Sequence, residues 1–170
     1  MNDHHLLSDT LFVESQLNLK VLTKENVGDL FNLICFEDVR ENIDGFRDVV
    51  TIVDAEDLID SFFVAYHMGH GMLWGIFLKG HFVGFIGLVD LPYEPILFYA
   101  MDKNNRMKGI MKECVNKVTT HVHDCGFPLI KTQVHKGNLA SIRVLVDCGY
   151  LCDNNGYYYH QLKYLKTKAI

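Results

Sequence analysis

The sequence predicts a single α/β domain, and three observations lead there. Runs with the two-residue period of strands alternate with runs at helical spacing. Glycine and proline close several of those runs, as at Gly126 with Pro128. No linker, low-complexity stretch or internal repeat divides the 170 residues, so residues 1–170 read as one unit. With 49% hydrophobic and 22% charged residues, such a chain buries a full core.

Leu17 to Leu22, L-N-L-K-V-L, alternates apolar and polar residues and predicts a half-buried strand. Thr23 then caps a helix with Val27, Leu30, Phe31 and Ile34 on one stripe. Asp54, with Asp57 three residues on, caps a second helix whose apolar face is Leu58, Ile59, Phe62, Phe63 and Tyr66. The segment between them, Phe36 to Val53, carries no clear period. From Met72, M-L-W-G-I-F-L, the turn K-G-H and F-V-G-F-I-G-L-V predict a β-hairpin. Pro92 and Pro95 bracket a loop before a third strand, Ile96 to Met101. Ile110, Cys114, Val118 and Val122 mark a long helix. Leu129 to Val134 returns to strand. A short helix starts at Gly137 or Asn138 and ends at Gly149, and Gly156 to Tyr164 is a closing aromatic strand. The predicted order is β-α-α-β-β-β-α-β-α-β.

The net charge of −5 argues against nucleic acid or an anionic membrane as the main partner. The apolar runs are far shorter than the roughly 20 residues that span a bilayer. The N-terminal M-N-D-H-H-L-L-S-D-T lacks the pattern of a secretory signal, so the expected location is cytoplasmic. Five cysteines, Cys35, Cys114, Cys125, Cys148 and Cys152, have no disulfide spacing and read as buried thiols. His121 and Cys125, four apart on a helix, suit zinc geometrically, but no third ligand accompanies them; no metal is expected, and with His123 they read as helix surface.

Lys103 to Cys114, K-N-N-R-M-K-G-I-M-K-E-C, sets a cationic, glycine-bearing loop between a strand and a helix N-terminus. A helix N-terminus presents unpartnered N–H groups and partial positive charge. Gly109 allows close approach of a phosphate, and Arg106 and Lys108 add charge. A solvated turn before an ordinary helix is the alternative reading.

Taken with N-L-A-S-I-R-V-L-V-D-C-G-Y downstream, this arrangement resembles the GCN5-related N-acetyltransferase (GNAT) superfamily over roughly Met72 to Lys163. The family's Arg/Gln-x-x-Gly-x-Gly/Ala loop is matched by Arg106-Met107-Lys108-Gly109-Ile110-Met111, where Met111 replaces a small residue and would crowd the cofactor. Asn138-x-x-Ser141 followed by Cys148-Gly149-Tyr150 is similar to the branch that acetylates ribosomal-protein N-termini. The resemblance implies a mostly antiparallel twisted sheet with splayed central strands flanked by helices. It also implies acetyl-CoA as acyl donor and a primary amine, peptide N-terminal or small, as acceptor. Tyr99, Ala100, Met101, the loop, Asn138 and Ser141 would hold the cofactor, with a backbone N–H near Ala100 polarising the thioester. The helix lacks the family's acid tyrosine, having Val144, Leu145 and Val146 there. Ser141 is then the candidate for stabilising the thiolate, or else a first-turn serine. Glu94, Tyr99 and Asp90 are candidate bases, although Glu94, between two prolines, reads first as a solvated loop carboxylate. The alternative function is a non-catalytic acyl-CoA-binding protein, and the aromatic last strand suits a homodimer.

Overall fold

The computed structural model describes residues 7–162. One eight-stranded sheet runs through it, built from β1 (Thr10–Glu14), β2 (Leu17–Val21), β3 (Met72–Leu78), β4 (His81–Val89), β5 (Ile96–Met101), β6 (Leu129–Gln133), β7 (Leu151–Cys152) and β8 (Tyr157–Gln161). Its order is β1-β2-β3-β4-β5-β6-β8-β7. All neighbours are antiparallel except β5 and β6. Five α-helices cover it: α1 (Val27–Ile34), α2 (Glu37–Asn42), α3 (Ile52–His67), α4 (Ile110–Asp124) and α5 (Leu139–Asp147).

The alternation of strand side chains divides the core in two. On one face Trp74, Ile76, Ile86 and Leu97 pack with Cys114, Val115, Val118 and Val122 of α4. On the other, Leu73, Phe85 and Ala100 pack with Leu30 and Ile34 of α1, Val39 of α2, and Ala55 and Ile59 of α3. Glycines on β3 and β4 make room on that second face. A Cβ on Gly75 would lie 2.8 Å from the Phe77 ring, and one on Gly87 would strike the Phe98 ring. Phe98 is in ring contact with Phe46, Phe62 and Phe85 instead.

Several boundaries differ from the sequence reading. β1 and β7 were not expected, because β1 meets β2 through a Ser-Gln turn without glycine and β7 has only two residues. The unassigned segment contains α2. Helix α3 is capped by Thr51, not Asp54: the Thr51 hydroxyl accepts the Asp54 N–H at 3.2 Å, and the Asp54 carboxylate accepts the Thr51 N–H at 2.6 Å. Asp54 is thus the third residue of a capping box. Phe63, expected in the apolar face of α3, is 55% exposed. The closing strand is observed as Tyr157–Gln161, and residues 163 and 164 of the expected range lie outside the described residues. Residues 1–6 of the N-terminal stretch lie outside them too. Strand β8 sits inside the sheet between β6 and β7, with Tyr158 buried and Tyr157 exposed.

Cys114 and Cys148 are buried as expected, whereas Cys35 and Cys152 are exposed. His123 is also buried, contrary to the surface position expected for it. Its Nδ1 lies 2.7 Å from the Phe127 carbonyl, which can only accept, and its Nε2 lies 2.8 Å from Nδ1 of His160. The segment before β1 is fastened at Ser8, whose carbonyl accepts the Trp74 indole N–H at 2.9 Å and whose N–H donates to His121 Nε2 at 3.0 Å. Among the described residues no helix is long and apolar enough to cross a membrane.

Gly84 tests the packing between β4 and β5. A Cβ there would lie 2.5 Å from the Ala100 carbonyl oxygen and 3.1 Å from Met101 Cα, both backbone. Gly84→Ala is expected to lower stability by about 1 to 3 kcal/mol through overpacking, read as a lower urea midpoint with an unchanged slope.

Candidate functional site

Strand β5 is fully paired on one side only. Six consecutive residue pairs, from Gly84↔Met101 to Val89↔Ile96, join it to β4. Toward β6 there is a single parallel pair, Ile96↔Lys131, beside which Lys131 N–H donates to the Pro95 carbonyl at 2.8 Å. The two strands then part.

The register tells which backbone groups face the opening. Asp102 N–H donates to Val83 O at 2.9 Å, so the alternating groups of Ala100 and Phe98 also point to β4. Those of Tyr99 and Met101 point the other way. The expectation for Ala100 is corrected accordingly, because its N–H is committed to β4. The Tyr99 N–H and C=O and the Met101 N–H have no strand partner among the described residues. The Met101 carbonyl accepts from Arg106 Nε at 2.8 Å.

At the end of β5 the chain makes a short 3-10 turn, Lys103–Asn105, and enters the loop before α4. Met107 and Gly109 both have left-handed backbone, φ 61° and 79°. For Met107 that is a conformation a non-glycine residue keeps only when its surroundings enforce it. Gly109 is the N-cap of α4 and is exposed, and a Cβ built on it meets nothing within 4 Å. The start of α4 is therefore open at Gly109, beside the exposed Lys108. Ile110 is half-buried. Met111 is 8% exposed and packs in the core cluster with Cys114 and Val115. Its long side chain is thus part of the core.

Arg106 is placed differently from expectation. Its guanidinium turns inward, with Nε on Met101 O and Nη1 at 2.5 Å from Asp38 Oδ2 of α2. Lys103 lies 3.7 Å from the other Asp38 oxygen, Oδ1, and sits over the Phe36 ring. Burial works to raise the Asp38 carboxyl's pKa, but the Arg106 and Lys103 charges more than offset it and hold the group below the usual range.

Tyr99 and Ser141, separate in sequence, meet across the opening. The Tyr99 hydroxyl donates to the Ser141 carbonyl at 3.2 Å. Burial pushes the phenol's pKa well above its ordinary value, so it is a protonated donor at neutral pH. Asn138 is the N-cap of α5, its Oδ1 accepting the Ser141 N–H at 3.2 Å. The Ser141 hydroxyl makes no hydrogen bond among the described residues. Glu94 stands apart from this group, before the other end of β5, where its carboxylate pairs with Lys131 at 2.6 Å. Asp90, φ 56°, lies in the β4–β5 loop.

Sequence reasoning did not find Asp38 or Lys131, and it met Lys103 only as the first residue of the cationic stretch. Among the described residues, no group of three or more His, Cys, Asp and Glu side chains is placed to hold a metal ion.

Residues 16–151 match the family model described as "Acetyltransferase (GNAT) domain". No curated protein matches the sequence. Among solved structures, the chain is similar to RimL, the ribosomal L7/L12 alpha-N-protein acetyltransferase, in complex with coenzyme A. That match has TM-score 0.82 and 16% identity, over 90% of this chain and 98% of that one. It is similar to the microcin C7 self-immunity acetyltransferase MccE, in complex with acetyl-CoA and AMP, at TM-score 0.80 and 16% identity, over 94% and 100%. An acetyltransferase from Salmonella typhimurium that modifies the N-terminal serine of 50S ribosomal subunit protein L7/L12 matches at TM-score 0.80 and 15% identity, over 91% and 99%.

Met111→Ala should remove core packing and leave the loop mouth as it is. A loss of about 2 to 4 kcal/mol in unfolding free energy is expected, measured by urea denaturation, with no gain in affinity for coenzyme A by calorimetry.

Proposed function

The chain belongs to the GNAT acetyltransferase family, and from that premise we propose that it transfers an acetyl group from acetyl-CoA to a primary amine by direct attack of the amine. The observation that carries this reading is the open edge of β5 leading into a left-handed, unobstructed helix N-terminus. A pantetheine arm is an extended chain with amides, and the Tyr99 and Met101 groups offer it the hydrogen bonds of an added strand. The pyrophosphate meets the N–H groups at Gly109, Ile110 and Met111, with Lys108 beside them. The bound thioester supplies the activated acetyl group.

The residues of the chain then have three tasks. A backbone N–H on the open side of β5, at Tyr99 or Met101, polarises the thioester carbonyl. The Tyr99 hydroxyl, kept protonated by burial, donates a hydrogen bond to the departing thiolate, the uncommitted Ser141 hydroxyl donates a second, and the thiolate takes its proton from solvent. Tyr99 thus supplies from the strand the phenol that α5 lacks. Glu94, before the far end of β5, takes the proton of the acceptor's ammonium through water, which frees the nitrogen lone pair for attack, with Lys131 holding the carboxylate in place.

The similarity to ribosomal-protein acetyltransferases favours a peptide N-terminus as acceptor, entering between the helices of residues 24–71 and the β4–β5 loop, in cytoplasm. A panel of N-terminal peptides and small amines, monitored by thiol release, tests this; consumption of acetyl-CoA with none of them defeats the peptide assignment.

Two substitutions test the site. Gly109→Glu sets a carboxylate at the anion position and strains a left-handed residue, so the thermal stabilisation given by coenzyme A to the parent protein should disappear. Tyr99→Phe should lower kcat about 100-fold with little change in KM for acetyl-CoA, whereas Ser141→Ala should lower it less, because Tyr99 remains.

A further inference from the structure

The cofactor loop is held from behind by a helix that precedes it by more than sixty residues. Arg106 and Asp38 are 68 positions apart, yet their hydrogen bond joins the loop to the first turn of α2. The same guanidinium bonds the last residue of β5 through Met101 O. Lys103 adds two more contacts to α2 and its N-cap, 3.7 Å from Asp38 Oδ1 and 4.9 Å above the Phe36 ring. Asp38 Oδ1 is buried and accepts no hydrogen bond, so the carboxylate is oriented by Arg106 on one oxygen and by charge on the other.

The clasp accounts for two features of the loop. Met107 keeps a left-handed backbone although it is 87% exposed, so no packing of its own side chain holds it there. The residue before it, Arg106, is fastened at both Met101 and Asp38, which fixes the entry to the turn. The inward guanidinium also leaves the mouth of the loop to backbone N–H groups and Lys108.

We propose that Asp38 is a positioning residue for the cofactor's pyrophosphate: through Arg106 it holds the Met107–Gly109 turn in its binding conformation and makes that conformation depend on α2 being seated. The inference rests on the reading of this loop as the pyrophosphate site. Since α2 lies among the helices assigned to the acceptor side, Asp38 is a point where that side and the cofactor side touch.

The test compares the full-length parent chain with Asp38→Asn, which keeps the shape and removes the charge. Amide hydrogen exchange over residues 102–113 of the ligand-free protein should accelerate, with the core strands unchanged. By calorimetry the dissociation constant for coenzyme A should rise about five- to tenfold, as expected for loss of one charge-assisted contact. That for pantetheine, which has no pyrophosphate, should not move. Arg106→Lys should reproduce both effects, and the double variant should be no worse than the weaker single one, because the two residues act as a unit. Unchanged exchange in the loop, or coenzyme A bound by Asp38→Asn as tightly as by the parent or more tightly, would overturn the proposal; tighter binding would make Asp38 a competitor of the phosphates. If the parent bound no coenzyme A, the proposed function would fall, while the exchange measurement would still decide the role of Asp38.

Discussion

The arrangement of this molecule depends on a strand that stops pairing. β5 is bonded along its whole length to β4 and at one point to β6. A sheet interior with unpaired N–H and C=O groups is costly unless something else satisfies them. The fold keeps the opening by anchoring its two walls separately. One wall is fixed by β4 and the glycine-lined aromatic face beneath it, the other by β8 and α5. Beyond the one point where the walls pair, the Tyr99 hydroxyl on the Ser141 carbonyl ties β5 to α5 through a side chain.

Much of this was legible in the sequence because the signals were local. The hairpin of β3 and β4, strand β5, the stop at Gly126 and the Asn138 cap each depend on residues within a few positions of one another. The loop before α4 was legible for the same reason, since Gly109 is the glycine its left-handed cap needs. What escaped depended on distant partners. The inward turn of Arg106 requires Asp38, which lies in a segment without periodicity. The burial of Met111 follows from how α4 rotates onto the sheet; its spacing from Cys114, Val115 and Val118 is helical, so the core position could have been read from the stripe rather than from the motif. His123 is buried through a pairing with β8 that no local pattern shows.

The Ala100 reversal has the same kind of cause. Strand parity decides which backbone groups face outward, and parity is fixed by the register with β4, not by the composition of β5. A resemblance that locates a strand to within one residue therefore leaves the two sets of backbone groups exchanged. The Asp102–Val83 bond resolves it.

The indole of Trp74 has a practical consequence. It is the one tryptophan of the chain, fully buried, and its N–H is bonded to the carbonyl of Ser8. Ser8 in turn is tied to His121 on α4, so the chromophore belongs to the join between the leading segment and the back of the long helix. Its emission is an optical gauge of whether that segment is docked. The same indole stands two strands from Tyr99, through the pairs Trp74↔Ile86 and Ile86↔Tyr99, so a change in tryptophan emission on adding a ligand has two sources, the docking of the leading segment and events beside β5.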